Sequence, residues 1–297
     1  MNATCGNLNG LPRLTNERCF EQAVRAGVRA AHRKSDRKGY MVTPEEKRRL
    51  AHTPPAWMYE FDLGDGVKTP LVLDELRSIH DTRTKLIRPA IQQLFPTGLV
   101  GITCLDVACN EGYFSHLLYE LGGNVTGIDV REENIVRAQK VQEILGYSSS
   151  RLRFEHRDLF DLDQQEDCFD LVLFLGILYH LENPMGAMRL LHKLTTRALI
   201  LETQLSRQTE PILSGWGQEG INLELEASMG LYQQTDMETN RLAAVKSLCF
   251  IPNPAAVTMM LSASGFRDIS RLPIPEGMNR QYVLNDRAVF VARTATG

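Results

Sequence analysis

The chain has 297 residues, of which 43% are hydrophobic and 23% are charged, and its formal net charge is −3 at pH 7. These values are ordinary for a globular protein with a sizeable core, and they exclude a generally basic protein that coats nucleic acid. The charge is uneven, because residues 1–55 contain 11 Lys and Arg against 5 Asp and Glu. This basic region either meets an anionic partner or packs as a solvated helical face on the acidic body.

The 6 cysteines form no CxxC pair and no Cys/His zinc spacing, so we expect reduced thiols and no metal site. The first residues are polar and lack the apolar segment of a secretory leader. The longest apolar run, residues 171–179, is far shorter than the ~20 residues needed to cross a bilayer. We therefore expect a cytoplasmic protein with no membrane partner.

In chain order, residues 1–55 are predicted to be helical as far as Pro54-Pro55, because tandem prolines end a helix. The period-2 alternation of apolar residues over 57–63 predicts an extended arm. Apolar spacing over 74–95 then predicts a helix. Residues 1–99 are accordingly expected to form an N-terminal helical and extended region that could act as a lid.

From residue 100 onward, short apolar strands alternate with helices, which is typical of a parallel sheet covered on both faces. The sequence predicts an α/β fold with a Rossmann-like, seven-stranded, mostly parallel sheet. We expect residues 100–297 to form this domain, with a long polar insertion at 203–246 after strand five that serves the substrate side. The predicted strands are 101–107, 124–130, 151–156, 169–174, 198–202, 267–274 and 288–293, and the predicted helices are 113–121, 132–145, 184–196 and 255–264.

The turn after the first strand carries the strongest chemical signal. Asp106 ends the strand, and Gly112 allows the backbone to approach a ligand where the next helix begins. The N–H groups of such a turn and helix start carry positive partial charge that suits a carboxylate. Ala108 and Asn110 stand where a pyrophosphate-binding turn would have glycines, so an amino-acid moiety fits better than a dinucleotide.

Two further acids follow the next two strands. Asp129 ends strand two, where a carboxylate can accept hydrogen bonds from ribose hydroxyls. Asp158 follows strand three, where it can accept from an adenine amino group, and Leu159 can pack on the ring. Because the carboxyl ends of parallel strands meet at one edge, these acids predict a nucleoside-binding crevice.

Over residues 100–202 this pattern resembles the class I S-adenosylmethionine (SAM)-dependent methyltransferases. The resemblance implies SAM as the cofactor and residues 106–112 as the loop that binds its methionine part. The residues assigned to the cofactor are Asp106, Ala108, Asn110, Gly112, Tyr113, Asp129, Val130, Asp158, Leu159, Gly176 and Arg83.

A narrower resemblance links the chain to the tRNA wobble-uridine methyltransferases and carboxymethyltransferases, which act on 5-hydroxyuridine in the anticodon and have relatives that act on small molecules. It implies that a basic residue (Arg83 or Lys85), Tyr179 and Arg280 would hold the carboxylate of carboxy-SAM, although we prefer ordinary SAM. The motifs that carry it are Gly176-Ile177-Leu178-Tyr179-His180, Asn183-Pro184, Leu201-Glu202-Thr203, Cys249-Phe250-Ile251-Pro252-Asn253 and Gly265-Phe266.

The catalytic candidates follow strands four and five. Tyr179 and His180 are expected to face the departing methyl group, with His180 either a general base or a residue that holds the loop. Glu202 is a second candidate base, or else an anchor of the insertion. Trp57 and Trp216 are expected either to wall the acceptor pocket or to pack in the core.

We expect O-methylation of a small-molecule acceptor in specialised metabolism, because the acidic body and the long insertion suit a pocket folded over a small ligand. A tRNA-modifying enzyme is the first alternative, favoured by the family resemblance and the basic N-terminal region. A non-catalytic SAM-binding regulatory module is the second, suggested by Ala108 and Asn110 in the turn. An NAD-dependent dehydrogenase ranks last, and no feature of the sequence assigns an oligomeric state.

Overall fold

The computed structural model describes residues 42–163, 167–208, 212–214, 223–233 and 248–295. The basic helical region predicted before residue 42, and Trp216, lie outside these residues. Helix α1 (Pro44–Ala51) begins with a capping box, in which Thr43 and Glu46 each accept a hydrogen bond from the backbone N–H of the other. A proline at the first helical position supports the same start.

The predicted extended segment forms a compact arm, residues 57–72, that folds back on itself. The N–H of Trp57 donates to Pro70 O at 2.8 Å, and the N–H of Val72 donates to Trp57 O at 2.8 Å. A second bridge joins Asp62 to Lys68 across the turn. Helix α2 (Glu75–Leu94) follows the arm and buries one face against the body of the protein.

The described residues form one large sheet whose strand order is β10-β11-β5-β4-β1-β2-β3. All neighbouring pairs from β3 to β5 are parallel, whereas β11 runs antiparallel to both of its neighbours. The seven-stranded, mostly parallel sheet predicted from the sequence is therefore confirmed. Its strands are β1 (Thr103–Val107), β2 (Asn124–Asp129), β3 (Leu152–His156), β4 (Phe169–Leu175), β5 (Thr195–Gln204), β10 (Arg267–Arg271) and β11 (Arg287–Arg293).

Helices cover both faces of the sheet, and each face has its own hydrophobic core. Asn183 and Asn253 start two of these helices, because each side-chain oxygen accepts a backbone N–H of the first turn and a proline follows each asparagine. The helices after α2 are α3 (Tyr113–Glu120), α4 (Glu132–Ile144), α5 (Pro184–Leu194), α6 (Pro254–Ala263) and the short α7 (Arg280–Val283).

Four short strands lie outside the main sheet, and the sequence did not predict them. Strands β6 (Ile212–Ser214) and β7 (Leu223–Leu225) pair with each other, as do β8 (Met229–Gln233) and β9 (Leu248–Pro252). Strand β5 is also longer than predicted, because its pairing with β11 extends to Gln204. Within the part of the chain that the structure describes, every helix is too short or too polar to cross a bilayer.

Candidate functional site

A cavity of about 630 Å³ opens at the carboxyl ends of the parallel strands. Strands β2 and β4 flank β1 in the sheet, and the residues at or just beyond the ends of all three line the cavity. Tyr232, Cys249 and Ile251 of the β8–β9 pair close part of it. A further side, which we call the N-terminal wall, consists of Met58, Tyr59, Leu76, Ile79, His80 and Arg83.

Most of the predicted site residues meet in this cavity. Ten of them line it, and Asp106, Gly112, Tyr113, Glu202 and Trp57 do not, while Trp216 lies outside the described residues. The ten that line it are Arg83, Ala108, Asn110, Asp129, Val130, Asp158, Leu159, Gly176, Tyr179 and His180.

The Asp129 carboxylate is oriented by three donors from the protein. Its Oδ2 accepts from the N–H of Asn110 at 2.9 Å, and its Oδ1 accepts from the N–H of Arg131 at 2.8 Å and from Asn134 Nδ2 at 3.2 Å. Burial raises the pKa of Asp129 even though these donors favour the ionised form. A carboxylate has about four acceptor positions, so this one retains capacity for a ligand hydroxyl on the side of the cavity.

Asp106 has a structural contact in place of the predicted ligand contact. Its Oδ2 accepts a hydrogen bond from Ser115 Oγ at 2.6 Å, which ties the end of β1 to helix α3. Burial raises the pKa of Asp106 to about 7 despite that hydrogen bond. Asp106 does not line the cavity, because its side chain is turned into the strand–helix junction, and its assignment to the cofactor stays a prediction.

Gly112 and Tyr113 also lie outside the lining of the cavity. Gly112 has φ +82°, and a Cβ atom there would lie 2.7 Å from the ring of Phe154, so the glycine permits close packing of the turn on β3. The Tyr113 ring stacks on Tyr59 with a centroid distance of 5.0 Å and supports the N-terminal wall from behind. Trp57 is likewise a core residue, 1% exposed, whose Nε1 donates to Ala51 O at 2.7 Å.

Glu202 is fully buried between two arginines. Its Oε2 lies 3.0 Å from Arg83 Nη2, and its Oε1 accepts from Arg287 Nη1 at 3.0 Å and from the Tyr282 hydroxyl at 2.9 Å. Burial by itself would raise the pKa of Glu202, but the charges of Arg83 and Arg287 outweigh it and hold the pKa below its ordinary value. This carboxylate pairs with two arginines and does not line the cavity, so its role as a base stays a prediction.

Arg287 lines the cavity but was not predicted from the sequence, since the family resemblance implies Arg280 as the C-terminal arginine. Its guanidinium lies 5.7 Å from the centre of the Tyr179 ring, and Nη2 is 3.5 Å from the Tyr179 hydroxyl. Arg83, Tyr179 and Arg287 thus meet at one end of the cavity. Arg287 lies at the start of antiparallel β11, a position that the strand pattern alone did not connect with the site.

His180 and His80 both line the cavity in neutral form. Burial, and then the positive charges of Arg287 and Arg131, lower the pKa of His180 to about 4. Burial and the charges of Arg83 and Arg287 lower the pKa of His80 to about 3. The His80 ring stacks on Tyr59 at a centroid distance of 4.1 Å, so it is a second feature that the sequence analysis missed.

Glu111 is a third residue that was missed, although it lies within the motif. It is fully buried in the turn between β1 and α3, and its carboxylate contacts the backbone of the arm and the side chain of Arg137. The signal that the sequence offered was an acidic residue within the turn motif, between Asn110 and Gly112. Among the described residues there is no group of three or more His, Cys, Asp or Glu placed to hold a metal ion.

Residues 100–230 match a family model described as a methyltransferase domain. A tRNA U34 carboxymethyltransferase of Klebsiella pneumoniae (strain 342) is 28% identical over 177 residues, which is 58% of this chain and 45% of that protein. A ubiquinone biosynthesis O-methyltransferase of Pseudomonas paraeruginosa is 32% identical over 123 residues, which is 40% of this chain and 50% of that protein. The chain thus spans about half the length of these curated relatives.

The N-terminal domain of EvdMO1, solved in the presence of SAH and D-fucose, shares the fold. It superposes with a TM-score of 0.63 at 21% sequence identity, covering 86% of this chain and 100% of that domain. The magnesium protoporphyrin IX methyltransferase of Synechocystis, solved with SAM, gives a TM-score of 0.50 at 18% identity, over 87% of this chain and 95% of that one. These superpositions extend beyond the sheet to most of the chain.

Proposed function

We propose, from the methyltransferase domain over residues 100–230, that the chain is a class I SAM-dependent methyltransferase that transfers a methyl group from SAM to a hydroxyl of a small-molecule acceptor. One observation carries the proposal: Asp129, suited to a nucleoside, and the Tyr179–His180 pair, suited to an acceptor, line the same cavity. They follow the two strands that flank β1, as expected for ligands bound at the carboxyl ends of a parallel sheet.

The residues at the cavity fit a nucleoside joined to an amino acid. Asp129 would accept from a ribose hydroxyl, and Asp158 with Leu159 would contact the adenine. Ala108 and Asn110 have positive φ angles of 54° and 52°, which shape the turn beside the cavity. This turn would hold the methionine part of SAM.

When bound, SAM supplies a methyl group that is already activated by the positive charge of its sulfonium. The remaining task of the protein is to orient the acceptor and exclude water, which can contribute about 7–11 kcal/mol in well-aligned systems. Tyr179 and Arg287 would hold the acceptor oxygen. His180 would accept its hydrogen bond, and since the pKa of His180 is only about 4, an acceptor with an acidic hydroxyl is favoured.

The cavity supports a small acceptor over a tRNA. Its volume of about 630 Å³ lies within the usual range for small-molecule sites, and the N-terminal wall and the β8–β9 pair each close part of it. The relative named a ubiquinone biosynthesis O-methyltransferase supports this class of acceptor.

A tRNA wobble-uridine acceptor is the second candidate. The relatives named tRNA U34 carboxymethyltransferases and the basic segment 1–55 favour it. The proximity of Arg83, Tyr179 and Arg287 also suits carboxy-SAM as an alternative donor. Glu202 pairs with both arginines, so the group keeps one net positive charge for a carboxylate.

A labelling experiment separates these functions. The full chain is incubated with methyl-labelled SAM and either bulk tRNA or the small-molecule fraction of a cell extract. We expect label in the small-molecule fraction, with transfer that is insensitive to salt. Label in tRNA that falls steeply with salt would establish the tRNA alternative, because phosphate contacts release counterions. Binding of SAH without label in either fraction would instead establish a regulatory module.

A further inference from the structure

The turn that lines the cavity and the N-terminal wall are joined through one buried carboxylate. Glu111 follows Asn110 in this turn and is 0% exposed. Its Oε2 accepts from the N–H of Met58 at 2.7 Å and from the N–H of Tyr59 at 3.2 Å. Met58 and Tyr59 both line the cavity, so Glu111 holds the backbone of two residues of the wall.

Arg137, on helix α4, contacts both Glu111 and the backbone next to the arm. Arg137 Nη1 donates to Glu111 Oε1 at 2.9 Å and to the backbone O of Ala56 at 3.2 Å. The same guanidinium lies 5.9 Å from the centre of the Trp57 ring. Glu111 and Arg137 together therefore contact four consecutive residues, 56–59, which are the residue before the arm and the first three residues of the arm.

The arm does not need these contacts to close on itself. Its own bonds include those between Trp57, Pro70 and Val72, and that from the Thr69 N–H to Phe61 O at 3.1 Å. The N–H groups of Met58 and Tyr59 point away from this pattern and reach the turn. A buried carboxylate is costly unless it is paired and hydrogen-bonded, so its placement here calls for a role beyond packing.

The contacts of Glu111 with the arm also influence the position of His80, through the Tyr59 ring. Tyr59 stacks between His80, at a centroid distance of 4.1 Å, and Tyr113, at 5.0 Å. Fixing the Tyr59 backbone therefore also fixes the ring against which His80 rests at the cavity. The turn contributes Ala108 and Asn110 to the cavity at the same time.

We propose that Glu111, paired with Arg137, is a positioning residue that fixes the N-terminal wall relative to the turn that would hold SAM. Its consequence for methyl transfer rests on the proposed function, whereas its effect on the arm does not. Glu111 acts through Met58 and Tyr59, which line the cavity, whereas Glu111 itself does not.

Amide hydrogen exchange on the full chain tests the proposal. In Glu111→Ala, amides of residues 57–61 should exchange roughly tenfold to a hundredfold faster, since two hydrogen bonds to a charged acceptor are lost. Amides of β1 and β4 should keep their protection. Glu111→Gln retains an acceptor oxygen and should restore most of the protection. The matched control is Glu155→Ala, which removes a surface ion pair with Arg157 and should leave residues 57–61 unchanged.

SAH affinity, measured by calorimetry on the same variants, provides the second readout. We expect the Kd for SAH of Glu111→Ala to rise by a smaller factor than the exchange rates at residues 57–61, because Glu111 lies in the turn but its carboxylate hydrogen-bonds the backbone of the wall. Unchanged exchange at 57–61, or loss of protection across β1 and β4 in parallel with the arm, would overturn the proposal. A Kd that rises as much as the exchange rate would also overturn it, because Glu111 would then serve the cofactor turn.

Arg137→Gln keeps the test decisive if Glu111→Ala does not fold. This variant removes the cation and its contact with Ala56 O, so exchange at residues 57–61 should rise by a smaller factor. No rise would contradict the proposed pairing. If wild type fails to bind SAH, the proposed function fails, while the exchange comparison still decides the role of Glu111.

Discussion

Asp129 and His180 both line the cavity, and burial favours the neutral form of each side chain. It raises the pKa of Asp129 and lowers that of His180, because removal from water penalises the charged state of either group. Three donors keep Asp129 suited to accept hydrogen bonds, whereas the nearby arginines add to the shift of His180. Asp129 is therefore oriented to accept hydrogen bonds, and His180 offers a neutral imidazole.

The His180 ring is expected to titrate near pH 4, well below an ordinary histidine. The cause is burial, followed by the charges of Arg287 and Arg131. NMR titration of labelled histidine rings measures it, with His180→Asn identifying the signal. A midpoint near 6.5 would show that the ring is solvated and would restore a strong general base to the site.

The residues whose roles could be read from the sequence are those with a local signal. Asp129 ends a strand and Asn110 lies in a turn, so their placement at the cavity follows from the strand pattern. The partners of Glu202 could not be read in this way, since Arg83 and Arg287 lie far from it in the chain and come from α2 and β11. His116 shows the same limit, because it lies off the apolar stripe of α3 and yet is only 3% exposed.

The turn between β1 and α3 depends on Gly112 for packing. Gly112→Ala should lower the free energy of unfolding by about 2–4 kcal/mol, because a positive φ costs an L-residue roughly 1–2 kcal/mol and the added Cβ must also displace the Phe154 ring. Chemical denaturation measures the change.

Gly66→Ala is the matched control for that turn. Gly66 has φ +73°, and a Cβ there meets no atom within 4 Å, so this variant carries the cost of the backbone conformation alone. Equal losses in the two variants would refute the role of the Phe154 contact.

The ion pairs of Glu202 connect α2, β5 and β11. Glu202→Gln leaves Arg83 and Arg287 buried without a counter-charge and should destabilise the protein by about 3–5 kcal/mol in denaturation experiments. Asp286→Asn, which breaks an exposed pair with Arg207, should cost only about 0–1 kcal/mol. A folded Glu202→Gln protein of wild-type stability that binds SAH but transfers no methyl group would return Glu202 to the role of base.

Acid should destabilise the whole molecule through its buried histidines. The pKa of His80 and His116 is lowered to about 3 and that of His180 to about 4, mainly by burial. Below pH 6.5 these histidines bind protons in the unfolded chain but not in the folded protein. The free energy of unfolding therefore falls as the pH drops from about 6.5 towards 4. Asp106, with its pKa raised to about 7, opposes part of this, since its folded form binds a proton that the unfolded form releases.

His116→Gln should reduce the slope of unfolding free energy against pH by about one proton, or about 1.4 kcal/mol per pH unit, between pH 6 and 4. Denaturant titrations across this range provide the slope. His52→Gln, at an exposed position, is the control. An unchanged slope in His116→Gln would show that the ring takes up protons in the folded state.

At the scale of the whole chain, the sheet was predictable because parallel strands buried on both faces are continuous apolar runs, as in β4. The segments that close the cavity could not be predicted from the sequence. The arm, the β8–β9 pair and the start of β11 come from distant parts of the chain, and their meeting depends on long-range contacts such as those of Glu111 and Arg287.

The central claim is that this cavity binds the SAM nucleoside through Asp129. Calorimetric titration with SAH of the wild-type chain and of Asp129→Ala, with thermal unfolding to verify that both are folded, tests it most directly. We predict saturable one-site binding to wild type and a loss of about 1.5–3 kcal/mol in Asp129→Ala, the scale of hydrogen bonds to a charged group. No binding to wild type, or equal affinity in the two folded proteins, would contradict the claim.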